Sequence, residues 1–359
     1  MRFLRGEISL LLSSPSSLST FCLLVSSFPP PSGEWRTRST AIEKNFLKAS
    51  NQDIKTLSMN AAQKPGPLAR LTQLSRICRQ KIAALIFRAY GRVPSTRGKG
   101  FTGYRNSCID RLINDEEFLR LLQQARPLPA GTGAQLDERV IEYPWVFSKL
   151  LSYREEARFL DAGSALNHAF VMNHPLVKRH KWTLLTLAPE LECFAHLGVS
   201  YVYDDLRATP FKDDCFDAVF CVSVIEHVGM DNTGYTADKS HQQIRPRDFL
   251  SAMDEMKRVL KPSGWLFLTL PFGRYENHGW FQQFDSTLLS DLISQFHPRQ
   301  EERAFFRSTP QGWQLCPEDD CKSLGYWFAP QPDPSAIEKS RYTALQVSAT
   351  GLACIALQK

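Results

Sequence analysis

A chain of 359 residues with 43% hydrophobic and 22% charged side chains has room for one large domain plus an extension. Its balance is that of a globular chain rather than a disordered or collagen-like one. The net charge of +6 is unevenly spread, because residues 1–109 hold 17 Lys and Arg against 4 Asp and Glu, whereas residues 110–359 hold 26 against 33. The main body is therefore mildly acidic, which argues against a nucleic-acid surface on it, and no nucleic-acid partner is expected.

The first 58 residues read as a disordered or non-native extension. The stretch "ISLLLSSPSSLSTFCLLVSSF" (8–28) carries no charge, but 9 of its 21 residues are Ser or Thr and Pro15 interrupts it. A membrane span needs about 20 predominantly apolar residues. A signal peptide would need a clean small-residue cleavage site, which does not follow. "PPPSGEWRTRST" then has the composition of a linker.

Residues 59–139 read as a basic helical lead-in. In "LARLTQLSRICRQKIAALIFRAY" (68–90), Leu68, Leu71, Leu74, Cys78, Ile82, Leu85 and Ala89 recur every three or four residues, which lines one helical face. Arg70, Arg76, Arg79, Lys81 and Arg88 occupy the remainder, and no acid occurs between residues 54 and 109. Such a helix either packs on its own domain with a solvated basic side or rests on anionic lipid or a partner protein.

From about residue 158 apolar strands alternate with helical stretches. "RFLDAG" (158–163), "WTLLTLAP" (182–189), "SYVYDDL" (200–206), "FDAVFCVSV" (216–224) and "GWLFLTLPFG" (264–273) read as strands, with "EERAFFRS" and the terminal "GLACIALQK" as further candidates. "RPRDFLSAMDEMKRVLKP" (246–262) places Phe249, Met253, Met256 and Leu260 on one helical face. This alternation predicts an α/β fold, doubly wound around a mostly parallel Rossmann-like sheet. In such sheets ligands bind beyond the carboxyl ends of the strands, where strand order reverses. Asp161, Asp205 and the "IEH" of 225–227 all fall at or just beyond such ends, and so are expected to converge on one crevice.

The nine cysteines form no CxxC pair, and several lie inside apolar strands, as small hydrophobes do in a reducing compartment. A cytoplasmic location is expected, with the 68–90 helix leaving room for peripheral membrane association. Cys316 and Cys321, in "CPEDDC", could pair or hold a metal. With no second ligand pair nearby, no metal site is expected.

The order "LDAGS", then "DDLRATPFKDDCFDAVFCVSVIEHVG", then "MKRVLKPSGWLFLTLPFG" resembles the class I S-adenosylmethionine-dependent methyltransferases over roughly residues 140–359. The resemblance implies seven strands with an antiparallel last one, S-adenosylmethionine as cofactor, and methyl transfer as the activity. It also assigns roles. Gly163 lets the backbone approach the cofactor, with Ser164 beside it, and Asp161 accepts hydrogen bonds from the loop or the cofactor ammonium. Asp205 receives the adenine amino group and Leu206 lies against the ring. Ser223, Ile225 and Glu226 form the floor beneath the sulfonium. Glu190 is the candidate for the ribose hydroxyls.

Two departures stand out. In "GSALNH", Ala165 and Asn167 occupy places usually held by glycine; Asn tolerates positive φ better than most residues and Ala suits negative φ. At the end of the second strand the usual acid is missing, and Glu190 comes late. His227 is the candidate general base and Asp231 the alternative across the following loop; a packing role for His227 is the competing reading. The polar and aromatic segments 229–244 and 272–285 suit a hydroxylated small-molecule or glycan-like acceptor and O-methylation. In this they loosely resemble methyltransferases of bacterial surface-polysaccharide biosynthesis. A catalytically inactive binding module is the alternative left by "GSALNH". A nicotinamide-dependent oxidoreductase is disfavoured because no GxGxxG follows any strand.

Overall fold

The structure, a computed structural model, describes residues 101–328 and 347–359. All of these belong to the compact unit Pro65–Lys359. The expected 1–58 extension and the 68–90 helix lie outside the described residues.

Among the described residues three helices come first: α1 (Phe101–Ile113), α2 (Glu116–Gln123) and α3 (Arg139–Leu150). α2 starts where it does because the Asp115 side chain accepts from the Phe118 N–H and Glu116 and Glu117 sit in its first turn. α3 is buried along nearly its whole length, so it is a core element; the boundary expected at residue 140 falls in its first turn.

The sheet strands are β1 (Arg158–Ala162), β2 (Lys181–Thr186), β3 (Ser200–Tyr203), β4 (Phe216–Val222), β5 (Leu260–Pro271), β6 (Gln300–Thr309), β7 (Gly312–Cys316) and β8 (Gly351–Gln358). Helix α4 (Phe249–Val259) precedes β5, and α5 (Ser286–Phe296) precedes β6. The order across the sheet is β3-β2-β1-β4-β5-β8-β6-β7. β1 to β5 pair in parallel, whereas β8 runs antiparallel between β5 and β6 and β7 closes the edge as a hairpin with β6.

The sheet is thus mostly parallel and doubly wound, but it has eight strands where seven are expected. The additional strand, "GWQLC", joins β6 through the two-residue connection Pro310–Gln311. Five residues with two buried and three partly or fully exposed carry little apolar signal of their own.

Alternation along the central strands sorts the core into two layers. Phe159, Leu184, Phe220 and Phe267 face α1 to α3, while Leu160, Leu185, Cys221 and Leu268 face α4 and α5. Strands buried on both faces read as continuous apolar runs, as "AVFCV" does. Helices α1 to α3 therefore supply much of one covering layer, together with the short helical turns Ala169–Met172 and Pro175–Lys178. Strand order reverses between β1 and β4, whose register pairs Asp161 with Phe220. The fold leaves its crevice there. Among the described residues, no helix is long and apolar enough to cross a membrane.

Candidate active site

Just beyond the carboxyl ends of β1 to β4 a crevice opens. Gly163, Leu185, Thr186 and Val224 form its base, Asp204 to Arg207 one side, and His227 to Gly229 with Asn232, His241 and Gln243 the other. A larger cavity of about 440 Å³ lies at the opposite edge, among Lys149, Tyr153, Asp217 and Trp265. Its two acids are occupied, Asp217 by the Arg158 N–H and the Lys261 ammonium and Glu302 by the Lys149 ammonium, and none of the predicted site residues lines it.

The turn after β1 is built around Asp161. Its side chain is fully buried, and Oδ2 accepts from the Leu166 N–H at 2.9 Å while Oδ1 has no partner among the described residues. Burial, which outweighs the backbone N–H groups of Leu166 and Ala165, pushes its pKa up to about 7.

Gly163 has φ +109°, and a Cβ built there would stand 2.2 Å from Val224 Cγ2. Its close approach is therefore to the β4 exit. The left-handed position that Asn167 was expected to help with is taken by Ser164, at φ +60°, whose buried Oγ has no partner among the described residues. Asn167 is instead a strut: its amide donates to Glu190 Oε2 at 2.6 Å and to Glu192 O at 3.0 Å, and its Oδ1 accepts from Tyr201 OH. Glu190 is thus exposed but tied back to this loop. Gly163→Ala is expected to destabilise the fold by roughly 1–3 kcal/mol, from left-handed backbone strain and crowding against Val224. A thermal or denaturant melt unchanged from the parent would show that Val224 moves aside freely.

On the β3 side, both Asp205 oxygens are gripped by Arg207. Oδ1 accepts from its N–H and Nε, each at 2.9 Å, and Oδ2 accepts from Nη2 at 2.6 Å. Burial alone would raise Asp205, but these bonds outweigh it and hold its pKa below the usual carboxylate range. Arg207 also reaches Asp248 and Gln243. Leu206 is buried beside it.

The β4 exit carries most of the unexpected chemistry. Ser223, at φ +47°, donates its hydroxyl to Glu142 Oε1 from α3. The same oxygen accepts from Thr269 Oγ1 at 2.7 Å, and Glu142 Oε2 accepts from Arg139 Nη1 at 2.9 Å. Tyr143, one residue on, donates its hydroxyl to Ala165 O at 2.8 Å and so pins the β1 loop. Arg139, Glu142 and Tyr143, which brace the turns that border the crevice, are residues that the sequence reading missed. The signal was present as one acid and one base inside the otherwise apolar "RVIEYPWVF".

Ile225 is fully buried in the core beneath. Glu226 is buried, its Oε2 has no partner among the described residues, and burial pushes its pKa up to about 8. The Arg139 guanidinium lies near enough to Asp161, His168, Glu226 and His227 to bias the protonation of all four.

His227 Nδ1 lies 2.8 Å from Trp280 O. A carbonyl only accepts, so Nδ1 carries the proton and Nε2 is left as the lone-pair nitrogen. Burial lowers the pKa to about 4. Trp280, Tyr235 and Phe281 surround the ring at 5.3, 5.5 and 5.9 Å. Asp161, Ser164, Glu190, Ser223, Ile225, Glu226 and Asp231 do not line the crevice itself; Asp231 is buried, and its Oδ1 accepts from the Thr233 N–H and hydroxyl, which starts the turn 233–236.

Residues 183–268 match a family model described as a methyltransferase domain. A comparison with curated proteins gives no match. Among solved structures, the chain is similar to 1,6-didemethyltoxoflavin-N1-methyltransferase from Burkholderia thailandensis, solved with 1,6-didemethyltoxoflavin and S-adenosylhomocysteine bound; identity is 13%, coverage 84% of this chain and 92% of that one, and the TM-score 0.34. It is also similar to S-adenosylmethionine-dependent methyltransferases from Thermotoga maritima (15% identity, 70% and 99% coverage, TM-score 0.34) and Methanosarcina mazei (15%, 58% and 94%, TM-score 0.33). At these identities and scores the structural likenesses carry no statement about activity. The sequence from β2 to β5, which supplies three walls of the crevice, resembles that of the methyltransferase domain family.

Proposed function

We propose that this protein is an S-adenosylmethionine-dependent methyltransferase acting on a small-molecule or glycan-like hydroxyl. The observation that carries the reading is a set of buried polar atoms without partners among the described residues, in the turns after β1 and β4 that border the crevice. They are Asp161 Oδ1, Ser164 Oγ and Glu226 Oε2. Unpartnered buried acceptors are costly to keep, and a bound ammonium would satisfy them and restore the charge of the carboxylates. On the β3 side Leu206 offers an apolar wall and Asp205, fixed by Arg207, a carboxylate edge, which suits a neutral purine with an exocyclic amine. The residues present therefore fit S-adenosylmethionine.

In this reading Asp161, Ser164 and Glu226 hold the amino-acid end, with the Arg139 guanidinium for its carboxylate. Gly163 and Ile225 shape the floor, Ser223 is fixed by Glu142, and Asp205 and Leu206 take the base. Glu190 is a ribose partner only if it leaves Asn167. The cofactor supplies an electrophilic methyl group on a sulfonium. The chain must then remove the acceptor's proton, and His227 Nε2 is the group poised to take it, with Trp280 O fixing the ring's tautomer. Asp231 serves this base indirectly, by shaping the turn that carries Tyr235. The acceptor's polar-aromatic surroundings (Asn232, Tyr235, His241, Gln243 and Trp280) favour a hydroxylated compound.

The test is turnover of methyl-labelled S-adenosylmethionine with a metabolite extract. One compound is expected to gain a single methyl group together with the label, and S-adenosylhomocysteine to accumulate in equal amount. Cofactor binding without any labelled product from extracts rich in sugars and glycans would favour the binding-only module.

A further inference from the structure

Away from the crevice, two cysteine side chains are held in contact. Cys316 ends β7, Cys321 follows the turn Glu318–Asp320, and their Sγ atoms are 3.4 Å apart with both thiols free. Cys321 is fully buried and Cys316 partly exposed. Backbone bonds fold the short loop on itself, with the Cys321 N–H donating to Glu318 O at 2.9 Å. Arg307 of β6 stands beside the pair and reaches Asp320 Oδ2 at 3.1 Å.

The two thiols are not equivalent. The contact with Cys321, assisted by Arg307 and opposed by burial and Asp320, holds Cys316 below the usual thiol range. The same contact, together with burial, pushes Cys321 up. A partly exposed thiol in contact with a buried partner thiol is the arrangement of an attacking and a resolving cysteine. A metal is a poorer fit, since no group of three or more His, Cys, Asp or Glu able to hold one occurs among the described residues.

The loop is also tied to the acceptor side of the crevice. Glu318 Oε1 accepts from Ser286 Oγ at 2.6 Å, and Leu324 O accepts from Arg274 N at 2.8 Å and Gln283 Nε2 at 2.9 Å. The segment so braced, 272–284, contains Trp280, whose carbonyl holds the His227 ring.

We propose that Cys316 and Cys321 form a reversible thiol–disulfide site, oxidised by a low-molecular-weight disulfide of the glutathione class, whose state is transmitted to segment 272–284. The Cys316 thiolate attacks one sulfur of the disulfide, forming a mixed disulfide and expelling one thiolate. Cys321 then loses its proton and attacks Cys316 Sγ, expelling the second. Two protein thiols are oxidised, one disulfide is reduced to two thiols, and both protons leave with them. Closing the sulfurs from contact to a bond of about 2.05 Å draws Cys321 toward β7. Leu324 follows, because its N–H donates to Cys321 O at 2.9 Å.

The test uses the full-length reduced protein equilibrated in glutathione redox buffers, quenched by alkylation and analysed by mass spectrometry. Expected is the loss of two alkylatable thiols, with residues 316 and 321 joined in one peptide, reversed by dithiothreitol. Cys321→Ser should instead trap one glutathione on Cys316, and Cys316→Ser should trap none at Cys321. Amide hydrogen exchange within 272–284 should differ between the oxidised and reduced forms. Persistence of both thiols in oxidising buffer, or a stable glutathione adduct on the parent protein, would overturn the site. Closure with unchanged exchange in 272–284 would overturn its transmission. Neither result depends on the cofactor reading.

Discussion

His227→Ala is expected to lower the methyl-transfer rate constant by roughly 10²–10⁴-fold while changing S-adenosylmethionine affinity little, because a hydroxyl acceptor needs a positioned base. The sequence alone would set the accompanying ionisation in the ordinary imidazole range. The structure moves it. With burial holding His227 near a pKa of about 4, the free-base form is fully populated at neutral pH. The rate should therefore be flat above about pH 6 as far as this group is concerned, and should fall only as pH drops toward 4. The sign for stability is the same. The unfolded chain takes up a proton near pH 6.5 that the folded chain refuses, so stability is lost as pH falls from there toward 4. Single-turnover measurements on parent and mutant at pH 6 to 9 check this, and a mutant retaining most of its turnover would leave His227 as a wall of the pocket.

The second large effect is expected from Glu142. This carboxylate is fully buried and accepts from Arg139 Nη1, Ser223 Oγ and Thr269 Oγ1. Glu142→Ala would strand two hydroxyls and a guanidinium and open a cavity under the β4 exit. Breaking a buried charge pair from one side costs about 3–5 kcal/mol. The Arg139 side chain keeps 25% exposure and can recruit water, so the lower part of that range is expected. Glu142→Gln, which preserves the volume and one acceptor, should cost less than half as much. Because Ser223 loses its anchor in both, cofactor affinity should weaken in the same order as stability. Equilibrium denaturation of the three proteins decides it, and equal stability would mean that the network reorganises around the gap.

What could be read from the sequence, and what could not, follows from where each signal sits. The central strands were legible because "AVFCV" and its neighbours β1 and β5 carry runs buried on both faces, with further polar residues just beyond their carboxyl ends. His227 could be placed at the crevice for that reason, and Asp205 and Leu206 because they follow strand β3. The Glu142–Ser223 bond joins residues 81 apart, on a helix and a strand exit that no local pattern connects. The left-handed residue of the β1 turn went to Ser164 rather than Asn167, since the Asn167 amide is engaged by Glu190 and Glu192. β7 escaped notice because a five-residue edge strand needs little burial.

The central claim is that the crevice at the carboxyl ends of β1 to β4 binds S-adenosylmethionine, and calorimetric titration of the full chain with S-adenosylhomocysteine tests it most directly. One site per chain is expected, and Asp205→Ala, which removes the acceptor for the adenine amine, should weaken binding by roughly five- to 150-fold, the equivalent of about 1–3 kcal/mol, while leaving the fold intact. Absence of binding to the parent protein, or unchanged affinity in the folded Asp205→Ala mutant, would contradict the account.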